Sequence, residues 1–253
     1  MNSFLGELKS RNSLLYWFGL INLVCAVVCI ALMMADTKEI LGINRWMKPL
    51  KFFLSVAVMA WTMGWLMYYL DARRSVKVCS WLIVISMFIE VFIITIQSSR
   101  GTTSHFNITS PLNGILFSIM GIFILLFTLT SVYITFLFFR QKQFPISGHY
   151  LWAIRLGLVF FVFFSSEGGM MVQRMAHTVG APDGGDGLPL INWSNTYGDL
   201  RVAHFFGIHA LQVLPLTGYY LAKTKGQVFL FSVLYFTMVM VFLIQALYKI
   251  PVI

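Results

Sequence analysis

The chain has 253 residues, of which 58% are hydrophobic and only 11% charged, and its mean hydropathy is +0.81. A soluble domain carries roughly 25% charged residues to cover its surface, so most of this surface faces lipid and a sizeable soluble domain is excluded. The net charge of +9 lies mainly in short loops and at span ends, where anionic headgroups and the topology rule account for it, and no nucleic-acid partner is expected.

A spanning helix uses about 20 apolar residues. The hydropathy pattern therefore predicts an all-α, polytopic integral membrane helical bundle with about seven transmembrane helices in a single transmembrane domain. The predicted spans cover residues 13–34, 49–70, 79–97, 112–139, 150–173, 201–222 and 228–249. Lys9 and Arg11 precede the first, which at about 22 residues exceeds a signal-peptide core and reads as a retained span. Next, Asp36-Thr37-Lys38-Glu39 has capping-box spacing and predicts a short interfacial helix ending near Trp46. Cys25, Cys29 and Cys79 form no disulfide framework.

In the fourth span Gly114 and Ser118, and in the sixth Ala203 and Gly207, follow the small-xxx-small spacing that lets helices approach closely. Pro215 predicts a kink in the sixth span. Asp199 is placed to cap the start of that helix. The tract Asp183-Gly184-Gly185-Asp186-Gly187 lacks the ligand pattern of a calcium loop and reads as a flexible turn. Charge in the short loops at residues 71–77 and 223–225 places the N-terminus in the cytoplasm and the C-terminus outside, in a membrane of the bacterial inner type.

Ionisable groups inside spans carry the functional reading. At 1.5 Å per residue, Glu90 and His209 lie roughly 12 Å, and Glu167 roughly 8–10 Å, from the outer ends of their spans. A charge at that depth costs at least about 2.5–3.5 kcal/mol if exposed to lipid, so each is expected to face the protein interior or water. For Glu167 a simpler role is pairing with Arg174 along its own helix.

The expected site is a cavity near the extracytoplasmic face. Glu90, Glu167, His204 and His209 would line it, with Lys48, Lys51, Arg100, His105 and Arg201 at its rim. Glu90 and Glu167 are the candidate acid–base groups, and His105, His204, His209, Arg100 and Arg201 the candidate cofactor-binding set. His204 and His209 are also the candidate metal ligands, although five residues apart they point about 140° from each other. Histidines near a span end beside basic residues best suit a b-type haem or a divalent metal in electron transfer or redox catalysis, which is the leading expectation. The same groups suit a proton-coupled carrier of a small anion, or a lipid-modifying enzyme using His and Glu as acid and base. The expected partners are the bilayer and a small anionic or lipid ligand.

Overall fold

The Ser3 hydroxyl accepts the Gly6 amide and opens the first helix, and the computed structural model describes residues 3–252. Helix α1 (Phe4–Arg11) ends at Asn12, whose side chain accepts the Leu15 amide and so caps α2 (Ser13–Ala35). A two-stranded antiparallel hairpin follows, β1 (Glu39–Ile40) and β2 (Ile43–Asn44). Then come α3 (Met47–Met67), α4 (Arg73–Ser99) and α5 (Pro111–Arg140). Helices α6 (Gly148–Ser165) and α7 (Glu167–Arg174) are separated by one residue. Strand β3 (Thr178–Val179) pairs antiparallel with β4 (Gly198–Asp199), before α8 (Leu200–Tyr220) and α9 (Lys225–Leu247).

Among the described residues, six segments are long and apolar enough to cross a membrane: α2, α3, α4, α5, the α6–α7 stretch and α9. The chain is an all-α polytopic membrane protein. Where a further span was expected, α8 is a helix of 21 residues that falls short of that apolarity. It carries Arg201, His204, His209 and Gln212. Packing explains the tolerance: α8 lies against both α6 and α9, so its environment is set by protein as well as by lipid.

The chain divides into two compact units, the first running to Leu137 and the second starting at Phe138. In the first, α3 packs on α2 and α4, and α1 lies on α2 and α3. Gly19 makes the α2–α3 contact possible, because a Cβ there would fall 2.1 Å from the Trp61 indole. That indole donates to the Tyr16 carbonyl at 3.1 Å. In the second unit, Phe164, Ala203, Ala210, Leu214, Tyr235 and Val239 form a buried cluster among α6, α8 and α9.

The two small-residue pairs behave differently. Gly207 faces Phe164, and a Cβ on it would come within 2.3 Å of that side chain, whereas Gly114 has nothing within 4 Å. Gly207→Ala is expected to lower stability by about 1–3 kcal/mol through overpacking. A thermal melt in detergent checks this, with Gly114→Ala as the control that should leave the midpoint unchanged.

Two expectations are corrected. Residues 36–46 form no helix. Leu41 and Gly42 both have positive φ, 52° and 75°, as a two-residue hairpin turn requires. The Asp36 carboxylate accepts the Lys38 amide and the Trp46 indole and pairs with Arg45. The Lys38 amide first, then Trp46 and Arg45, hold its carboxyl below the usual range. The fifth span is also not continuous. Ser165 and Ser166 hydroxyls donate to the carbonyls of Phe161 and Phe163 at 2.7 and 2.5 Å, competing with the helical ladder. The Ser166 amide drops to the Phe163 carbonyl, and α7 restarts at Glu167.

Candidate functional site

In the first unit the connection between α4 and α5 folds back onto the helices. Asn107 ties it down, donating to the Thr102 hydroxyl and the Thr103 carbonyl, both at 2.8 Å, and accepting from Thr109. Gln97 donates to Asn113 at 3.0 Å, and Arg100 donates to both Gln97 and Asn113. Phe106 adopts a left-handed φ of 56°, a conformation costing about 1–3 kcal/mol for such a residue. The strained backbone lies next to His105, whose ring stands edge-on to Phe106 and tilted over Phe52.

His105 connects a cation to a buried acid. Lys48 Nζ donates to His105 Nδ1 at 3.2 Å, and Ser104 Oγ lies 3.1 Å from the same nitrogen. An ammonium has no lone pair, so Nδ1 accepts and the neutral ring carries its proton on Nε2. Nε2 faces Glu90 Oε1 at 3.5 Å, an ion-pair distance longer than an ordinary hydrogen bond. Glu90 is 4% exposed, and its other oxygen has no partner among the described residues. With Glu90 ionised, Lys48, His105 and Glu90 sum to a formal charge of zero; with Glu90 protonated, they sum to +1.

The second unit holds a more isolated acid. Glu167 opens α7 just past the break, is 4% exposed, and has no hydrogen-bond partner for either carboxylate oxygen among the described residues. The expected pairing with Arg174 is absent, and Arg174 is exposed at the end of α7. His204 Nδ1 donates to the Phe164 carbonyl at 3.1 Å, next to the break. The His204 ring edge would lie 3.7 Å from a Cβ on Gly168, the residue after Glu167. His209 Nδ1 donates to the Phe205 carbonyl of its own helix at 2.6 Å, and its ring lies on Phe205 with centroids 4.1 Å apart.

Arg201 is engaged structurally. It pairs with Asp199 and donates to the Asn192 carbonyl, while Asp199 also caps α8 as expected. Asp183 is likewise more than part of a flexible turn. It accepts the amides of His177 and Thr178 at 3.0 and 2.9 Å and pairs with His177 Nδ1 at 2.6 Å. Burial pushes its carboxyl up, but His177 and these amides outweigh that and hold it well below the carboxylate range. This dyad went unread in the sequence, where only the six-residue spacing of His177 and Asp183 hinted at it.

The expected site residues thus sort into two groups: Lys48, Glu90, Arg100 and His105 in the first unit, and Glu167, Arg201, His204 and His209 in the second. Among the described residues, no group of three or more His, Cys, Asp or Glu side chains is arranged to hold a metal ion. No family model, no curated protein and no solved structure matches this chain.

Proposed function

We propose that this protein is a proton-linked membrane carrier for a small anion, with Lys48, His105 and Glu90 as its coupled site. The observation that carries the reading is the 3.5 Å approach of His105 to a buried, half-partnered Glu90, with Lys48 on the ring's other nitrogen. One proton on Glu90 takes the formal charge of Lys48, His105 and Glu90 from zero to +1. A monoanion restores neutrality, so proton and anion bind together and leave together. Intramembrane acids paired in this way recur in proton relays. The test is flux. Purified protein in liposomes holding a pH-sensitive dye should acidify the interior when an inward gradient of nitrate or chloride is imposed, where empty liposomes should not, and under a formate gradient should acidify it faster than empty liposomes do, since formic acid itself crosses lipid. No response to any of these anions would count against the carrier.

A second reading, haem or metal binding, draws on one further observation. His204 and His209 both commit Nδ1 to a backbone carbonyl, which turns Nε2 outward as an unprotonated donor, the orientation found in metal-ligating histidines. A Soret band or stoichiometric metal in the purified protein, weakened by His209→Ala, would favour it over the carrier. The charge pattern of the short loops supports a cytoplasmic N-terminus and an extracytoplasmic C-terminus in a bacterial inner membrane. Reporter fusions after Lys77 and after Asp186 should read opposite sides, with Lys77 cytoplasmic.

A further inference from the structure

Helices α4 and α5 do not close against each other along their whole length. They meet at Ile93, Ile94 and Met120. Toward the start of α4 they part to leave an open crevice of about 440 Å³. Its two ends differ in chemistry. The mouth has Arg74 and a hydroxyl pair, Ser75 and Tyr133, 3.1 Å apart. The rest of the lining, the throat, is Val78, Cys79, Leu82, Leu126, Leu129 and Thr130, and the Thr130 hydroxyl is spent on the Leu126 carbonyl. The helices run antiparallel here. Leu82 therefore lies about 12 Å along α4 from Arg74, and Leu126 about 10 Å along α5 from Tyr133, by rise per residue.

We propose that this crevice is a binding site for an anionic phospholipid, with the phosphate at Arg74 and the upper part of one acyl chain between α4 and α5. Three observations select that occupant. Both walls belong to segments apolar enough to span a membrane, so hydrocarbon rather than water is the medium beside the throat. Arg74 is exposed and makes no ion pair or hydrogen bond among the described residues, and Arg73 and Lys77 add positive charge on the same turn. The hydroxyls of Ser75 and Tyr133 stand in the same mouth as Arg74, where they can donate to phosphate or ester oxygens. A soluble phosphate would satisfy the mouth and leave the throat unfilled. A neutral acyl chain would do the reverse.

Native mass spectrometry of the full-length purified protein tests the assignment, using phosphatidylglycerol and phosphatidylcholine of identical acyl chains. One phosphatidylglycerol should be retained per chain, with about five-fold preference over phosphatidylcholine, as one basic residue at a membrane surface supplies. Arg74→Ala should remove the preference and Arg74→Lys should keep most of it. Leu129→Trp should expel the lipid by filling the throat. Arg74 and Leu129 are both exposed, so neither change threatens the fold. Equal retention of both lipids, or an unchanged preference in Arg74→Ala, would overturn the proposal. So would displacement of the lipid by glycerol 3-phosphate at matched concentration, because the site would then need no acyl chain.

Discussion

Glu90→Gln is expected to abolish proton-coupled flux while sparing the fold. Gln keeps the shape of Glu90 and is permanently neutral, so that position no longer changes charge with pH. Anion binding in this variant should persist and become independent of pH, whereas in the wild type it should strengthen as pH falls and Glu90 takes up its proton. Lys48→Met makes the complementary change. It leaves Glu90 as the only formal charge among the three groups and removes the cation that a bound anion would face. Anion affinity should fall by about ten-fold or more, as the loss of a charge-assisted contact of about 1.5–3 kcal/mol implies, and the double variant Lys48→Met/Glu90→Gln should not recover binding. Equilibrium anion binding measured at pH 6 and pH 8 for the three variants checks the set. A pH-dependent Glu90→Gln protein would remove Glu90 from the coupling.

Glu167→Met is expected to make the protein more stable, by about 1–3 kcal/mol. Both Glu167 oxygens are buried without a hydrogen-bond partner, and an unsatisfied buried polar group carries a penalty of that size. Methionine has similar length and no such requirement. Polar groups kept at a cost in stability tend to serve function. The same variant should therefore lose transport, as a second proton acceptor at the α6–α7 break would require. Thermal midpoint and flux, measured on one preparation, read both effects. A fall in midpoint would mean that Glu167 has a stabilising role, and a rise with unaltered flux would remove it from the carrier.

Helix positions were legible because a run of about 20 apolar residues favours a long helix. Each predicted span has a helix at its place, including α8, whose polar residues lower its hydropathy. Local features that depend on backbone geometry were not legible. Asp36-Thr37-Lys38-Glu39 has the spacing of a cap, but Leu41-Gly42 turns the chain back first, and the Asp36 carboxylate goes to Arg45 and Trp46. The break at Ser166 was hidden for a similar reason: two adjacent serines look ordinary in a span until their hydroxyls take the helix's carbonyls.

The candidate site was legible residue by residue and not as an arrangement. Depth along a helix marked Glu90 as costly, and loop position marked His105 and Lys48 as neighbours of one membrane face. Their meeting depends on the α4–α5 connection folding inward, held by Asn107 and turned at Phe106. No periodicity encodes such a fold-back. Arg201 shows the opposite error. A basic residue at a helix start reads as a rim charge, yet Asp199, two residues earlier, already holds it.

The most direct test of the carrier is the number of protons taken up per anion bound. In weakly buffered detergent solution near neutral pH, addition of saturating formate, or whichever of the test anions binds, should make the medium more alkaline. The account predicts about one proton per anion in the wild-type protein, on the charge change from zero to +1 at Lys48, His105 and Glu90, and none in Glu90→Gln. Anion binding without proton uptake in the wild type, or equal uptake in Glu90→Gln, would contradict it.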